Sequence, residues 1–421
     1  MANSTRLKLF AITAPGLESI AANELRSLGV KPRREAGGVA FSGEVELLYA
    51  SNLWLRTASR VVVRLARFHA STFYELERRA KRVPWSGFLP EKGSARVRVT
   101  CRKSRLYHSD AVAERVLAAI GRVAPGTLRV EADAKGDDDD SDYGAPGDGS
   151  SSGGHGSQLF IVRIVNDECE ISADSSGDLL HRRGYRQEVA KAPLRETLAA
   201  AMVLSSGWSP NEPLLDPLCG SGTIPIEAAL IARGLPPGAK RRFAFMDWPS
   251  FDANRWRSVL GGAERGARAP GAAIRGTDRD AGAIAASRRN AERAGVATDI
   301  EFSAEALSAS MAKLGAMGAG PGWVIANPPY GVRVGDPAGL RDLYARIGTE
   351  LRANPGWRLG ILTSDVSVAR HAALPLGVSF NTRNGGIPVS FLVNQQPAER
   401  EVRSSPTRAE RSGDCGRRVP S

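Results

Sequence analysis

Two periods of hydrophobicity alternate along the chain. LKLFAIT, residues 7–13, reads as a strand, and in GLESIAANELRSLG the positions Leu17, Ile20, Ala21, Leu25 and Leu28 recur at helical spacing up to Gly29. GGVAFSG predicts a short strand between glycines, and VELLYASNLWLRTASRVVVRLARF a helix running into an apolar strand. TFYELERRAKRV, ARVRVTCR and DAVAERVLAAIGRV continue as helix, strand and helix, and QLFIVRIVNDECEISADSSGD as two strands joined by a turn. From about residue 190 to 395 the apolar stretches PLLDP, AAIRGTD, DIEFS, WVIANPP, RLGILTS and VSFLV alternate with helical ones. That alternation predicts an α/β domain, a mostly parallel sheet covered by helices on both faces.

Composition breaks the pattern twice. Residues 132–157, ADAKGDDDDSDYGAPGDGSSSGGHGS, hold too little apolar surface to order themselves and are expected to form a solvated insertion. A strand follows the insertion, so the domain boundary is placed later, before KAPLRETLAAAMVLSSGW, whose Pro193 suits the start of a helix. The polar, basic stretch 396–421 is expected to be disordered. The division that results is 1–55, 56–186 with the insertion inside it, 187–395, and the tail.

Hydrophobic residues make up 42% and charged residues 24%, an ordinary balance for a soluble protein. Charge changes the picture more: 57 Lys+Arg face 45 Asp+Glu, a net +12 that suits a polyanion such as nucleic acid. The four cysteines form no CxxC pair and have no histidine at metal spacing, which argues against a disulfide framework or a zinc site. No signal-like h-region opens the chain and no run approaches the roughly 18 apolar residues of a membrane span, so a cytoplasmic protein is expected.

The chemistry lies at strand ends. In LLDPLCGSGTIPIEAAL, Asp216 follows a buried strand, Gly220 and Gly222 permit a tight turn, and Thr223 is placed to cap the next helix. Taken alone, this segment fits a cofactor loop or an ordinary βα corner equally, since it is neither a dinucleotide fingerprint nor a P-loop. Asp278, ending AAIRGTD, adds a carboxylate able to accept both hydroxyls of a ribose, while Asp280 is expected to cap the following helix. WVIANPPYG then ends in Asn327, Pro328, Pro329 and Tyr330. The Asn327 side-chain oxygen and the Pro328 carbonyl can accept from an exocyclic amine, and Tyr330 offers a face for a flipped base. Orienting an amine toward an electrophilic methyl needs no metal and no dedicated base, because positioning alone can supply about 7–11 kcal/mol.

DPLCGSGT followed by NPPYG resembles the class I S-adenosylmethionine-dependent methyltransferases that act on amino groups. With KRRFAFMDWPSFDANRW, GGVAFSG, LWLRTASRV and SGDLLHRRGYR, the chain resembles the bacterial guanine-N2 methyltransferases of large-subunit ribosomal RNA over about residues 7–395. The resemblance implies ferredoxin-like and THUMP domains that hold structured RNA, then a Rossmann-like domain that methylates a guanine 2-amino group. It places S-adenosylmethionine on Asp216, Pro217, Cys219, Gly220, Ser221, Gly222, Thr223, Asp278 and Asn327. The family's acidic residue for the cofactor's adenine amine falls on Glu305. Basic residues interleaved with aromatics mark Arg98, Arg102, Lys103, Arg105 and Tyr107 as RNA contacts; Arg182, Arg183 and Arg186 fit either guides for RNA at the domain junction or a packed interdomain turn. Other readings are a tRNA guanine, a DNA adenine or a protein glutamine as acceptor, or an assembly factor without catalysis.

Overall fold

The computed structural model describes residues 6–90, 93–123, 128–132, 156–187, 194–318, 320–329 and 337–394. The interior of the 132–157 insertion, Pro193, Tyr330 and the 396–421 tail lie outside the described residues. The N-terminal half runs β1 (Leu7–Thr13), α1 (Glu18–Ser27), β2 (Arg33–Glu35), β3 (Gly38–Gly43), α2 (Val45–Trp54), β4 (Ala58–His69), α3 (Phe73–Ala80), β5 (Gly93–Arg102), α4 (Ser109–Val123), β6 (Leu128–Ala132), β7 (Ser157–Val165) and β8 (Glu168–Asp174). These strands form one sheet in the order β2-β3-β1-β4-β8-β7-β5-β6. The expected break at residue 55 falls between α2 and β4, yet β4 bonds β1 on one side and β8 on the other, so the sheet runs through it. Local chemistry sets the elements. Thr72 and Glu75 close a capping box on α3, and Asn166 and Asp167, with φ of 52° and 61°, make the two-residue turn between β7 and β8.

The second half comprises α5 (Glu196–Ser206), β9 (Leu214–Asp216), α6 (Thr223–Ala232), α7 (Ala253–Arg265), β10 (Ile274–Asp278), α8 (Ala281–Ala294), β11 (Ile300–Ala304), α9 (Leu307–Met311), β12 (Gly322–Ala326), α10 (Pro337–Ala353), β13 (Trp357–Thr363), α11 (Val366–Ala369), β14 (Leu376–Asn384) and β15 (Ile387–Asn394). Its seven strands lie in the order β11-β10-β9-β12-β13-β15-β14, with β15 alone running against the other six. β9 and β12 are buried at every position, as strands covered on both faces must be. This is the mostly parallel, helix-covered sheet that the alternation predicted, in the Rossmann-like arrangement that the resemblance implied. β10 and β12 flank β9 on opposite sides, so the direction of winding reverses there and a crevice opens at the strands' C-terminal ends.

The halves interlock. Phe243, Phe245 and Trp248, from the segment between α6 and α7, belong to the apolar core under the N-terminal sheet. The Tyr49 ring stacks on Phe245 at 4.6 Å, Phe88 meets Trp248 edge-on at 4.9 Å, and the Trp248 indole N–H donates to Gln158 at 2.7 Å.

Candidate active site

Asp216 closes β9 at 1% exposure and accepts the Leu218 N–H at 3.1 Å. The chain then turns through Gly220 (φ 53°) and Gly222 (φ 84°), a backbone that only glycine adopts without strain. A Cβ on Gly222 would lie 3.0 Å from the Ser287 Cβ. Neighbouring elements hold this loop by its backbone. Asp278, at the end of β10, accepts the Gly220 N–H at 3.0 Å on one oxygen and the Asp280 N–H at 3.0 Å on the other. The Cys219 N–H donates to the Thr277 carbonyl, and from α8 the Ser287 hydroxyl and Asn290 amide donate to the carbonyls of Gly220 and Ser221. Each Asp278 oxygen keeps a lone pair, so the carboxylate can still accept two hydroxyls.

Thr223 does not cap α6: it is the first helical residue, Gly222 occupies the cap position, and no side chain satisfies that helix end. By contrast, Asp280 caps α8 and Asp252 caps α7. The bare end of α6 leaves its N–H groups and positive potential facing the crevice. Cys219 lines the loop as a neutral thiol, because burial and the Asp216 and Asp278 carboxylates push its pKa well up.

Asn327 is the first residue beyond β12, at the same sheet edge. Its side-chain oxygen is buried without a hydrogen-bond partner, an arrangement that costs about 1–3 kcal/mol unless a ligand supplies the donor. Pro328 is buried beside it and Pro329 is exposed. The Glu305 N–H reaches the Asp278 carbonyl at 2.9 Å, but its carboxylate turns to Arg275 (2.8 Å), Ser303 (2.6 Å) and Lys313 (2.8 Å). Lys313, then Ser303, holds that carboxyl below the usual glutamate range.

The expected RNA contacts separate into two groups. Lys103, Arg105 and Tyr107 stand exposed at one end of the N-terminal sheet, with Tyr107 69% exposed and its ring 4.0 Å from that of His108. The Arg105 N–H is anchored on the Asp167 carboxylate at 2.7 Å, and Arg98 and Arg102 lie on β5, which leads into this loop. Arg183 and Arg186 correct the expectation, since neither is presented to solvent. The Arg183 side chain is 1% exposed and pairs with Glu227 of α6; that of Arg186 is 12% exposed and pairs with Glu196 at 3.1 Å. Arg182 remains on the surface at 44%, 3.7 Å from Asp178. The sequence reading missed Glu227 and Arg56, whose signal is a charge inside an apolar stretch, TIPIEAALIA and LWLRTAS. It also missed Ser287 and Asn290, which carry no sequence signal of a role in the loop.

Burial alone raises the Asp216 pKa well above the aspartate range, with Asp278 adding to it. A raised acid stabilises the fold fully below its unfolded pKa and loses that contribution as pH rises through the folded value. Asp216→Asn is therefore expected to melt higher than the wild-type chain. The gap should vanish in acid and widen as pH rises from the ordinary aspartate range. Thermal melts across pH check this, and a gap that shrinks with rising pH would contradict it.

The loop, the two aspartates and the open acceptor of Asn327 fit a nucleoside cofactor with a transferable group, and comparison with known proteins agrees. Family models match as an RlmL ferredoxin-like domain over residues 8–62, a THUMP domain over 70–136 and an RMKL-like methyltransferase domain over 183–388. The Synechocystis protein slr0064 is 34% identical across 93% of this chain and 97% of its own length. Ribosomal RNA large subunit methyltransferase K/L of Syntrophotalea carbinolica is 35% identical across 92% of this chain, which spans only 53% of that protein. The crystal structure of SMU.472 complexed with SAH superposes with a TM-score of 0.78 at 28% identity, covering 93% of this chain and 99% of that one. No helix among the described residues is long and apolar enough to cross a membrane. The chain belongs to the THUMP-containing, RlmL-like family of S-adenosylmethionine-dependent RNA methyltransferases.

Proposed function

We propose that this chain methylates the exocyclic 2-amino group of a guanine in large-subunit ribosomal RNA. The observation that carries the reading is the buried, unpartnered Asn327 oxygen at the switch-point edge. With the Pro328 carbonyl it makes a pair of acceptors for the two hydrogens of a planar amine. When bound, S-adenosylmethionine supplies an electrophilic methyl group. Asp278 takes the ribose hydroxyls, the glycine turn admits the cofactor close to the backbone, and the bare end of α6 faces it. Asn327 and Pro328 fix the amine so that its lone pair points into the crevice, and Tyr330 gives the base a stacking face. The amine proton leaves to solvent after transfer. The exposed surface around Lys103, Arg105 and Tyr107 holds the RNA through phosphate contacts and stacking. The ribosomal target is favoured by the K/L relatives, although the chain spans about half of their length.

Labelled S-adenosylmethionine and total RNA from cells lacking this protein test the reading, followed by nucleoside analysis. N2-methylguanosine in the large ribosomal RNA is the expected product. Label confined to tRNA keeps the chemistry and overturns the substrate, and no label in any RNA overturns both.

A further inference from the structure

The buried charges at the domain junction continue into the cofactor loop. Glu227, midway along α6, takes the Arg183 guanidinium on one oxygen and the Tyr185 hydroxyl on the other at 2.8 Å. Arg183 also donates to the Arg56 carbonyl at 2.7 Å, and the Arg56 guanidinium donates to the Leu235 carbonyl at 2.6 Å, beyond the end of α6. On the N-terminal side Glu24 of α1 accepts the backbone N–H groups of Arg56 and Thr57. A second connection starts from the same linker. The Tyr185 carbonyl accepts from Arg293 at 2.8 Å, Arg293 donates to the Asn290 side-chain oxygen at 2.5 Å, and the Asn290 amide donates to the Ser221 carbonyl at 3.0 Å. Arg293 thereby fixes which way the Asn290 amide faces, with its oxygen toward the guanidinium and its N–H₂ toward the glycine turn.

We propose that linker residues Arg183 and Tyr185 are positioning residues for the cofactor loop, acting through Glu227 on α6 and through Arg293 and Asn290 on the Ser221 carbonyl. Neither touches the crevice directly. Their effect is to set where the Gly220–Gly222 turn sits relative to Asp278, and so how well the loop accepts the cofactor. The inference stands on the cofactor assignment and is independent of which RNA is modified.

Titration calorimetry of the full chain with S-adenosylhomocysteine, far below the melting temperature and without RNA, tests it. Arg293→Met cuts the relay one residue short of the loop, and Tyr185→Phe removes one hydroxyl without changing shape. Each is expected to weaken binding by about five- to tenfold, the effect of one well-placed hydrogen bond. Asp174→Asn serves as the comparison, because Asp174 is buried and paired with Arg60, and its carboxylate bonds Arg60, Ser176 and Gly177 rather than any residue of the relay. It is expected to lower the melting temperature and leave the affinity within about twofold. Wild-type affinity in folded Arg293→Met and Tyr185→Phe overturns the proposal, as does an equal loss in Asp174→Asn. Should Arg293→Met fail to fold, Tyr185→Phe decides alone. A failure to methylate ribosomal RNA would leave these affinities unaffected, so the two readings fail separately.

Discussion

Asn327→Ala is expected to lower methyl transfer about 10²–10³-fold while the chain folds and binds S-adenosylhomocysteine as before. The magnitude is that of deleting one fixed polar group from a site that depends on orientation. Without the side-chain oxygen the amine keeps one acceptor and rotates, so its lone pair is aligned for a small share of the time. Stability should hold or rise slightly, because the oxygen has no partner in the protein and its loss breaks no internal hydrogen bond. Single-turnover transfer to RNA, set beside calorimetric titration of S-adenosylhomocysteine, separates the two effects. A variant with full transfer would remove Asn327 from the reaction, and one that loses cofactor affinity in step would reassign it to cofactor binding.

Arg183→Leu is expected to destabilise the fold by about 3–5 kcal/mol, because it takes the arginine away from the Glu227 carboxyl in a site with 0% side-chain exposure and leaves it only the Tyr185 hydroxyl. Urea unfolding should show an earlier midpoint with an unchanged slope. Adding Glu227→Leu should recover much of the loss, since a buried pair replaced by apolar side chains of similar size is often neutral. An arginine that served only as an RNA contact would behave differently, leaving unfolding unchanged and weakening RNA binding with a shallower salt dependence. The two outcomes cannot be confused in one pair of titrations.

These two residues also mark how far the sequence could be read. Asn327 and Asp216 were legible because each directly follows the apolar run of a fully buried parallel strand, whereas Asp278 showed only as the acid that closes AAIRGTD. The first polar residue after such a run sits at the ligand-binding edge by geometry alone. Arg183 was only half legible: HRRGYR fits an exposed basic guide and a packed interdomain turn alike until its acid is found 44 positions on, in another element. Sequence carries the sign of a charge and not its partner. β14 escaped for a related reason. As the outermost strand it is exposed at Val378, Ser379, Asn381 and Arg383, so no apolar run announced it, although Gly385 and Gly386 at positive φ form its hairpin with β15. Six strands of the N-terminal sheet were read, without the short β2 and β6, but periodicity says nothing of pairing, and β4 joining β1 to β8 became visible only in three dimensions.

The aromatic residues lent to the N-terminal core have a consequence for synthesis. Tyr49 and Phe88 leave the ribosome well before Phe245 and Trp248, the rings they pack against. The nascent N-terminal half thus emerges with a gap in its interior and apolar surface facing water, and closes only after the chain has passed residue 248. A transcript truncated at the linker would yield a sticky fragment rather than a free-standing RNA-binding module. The two halves therefore complete one another's packing only when both are made.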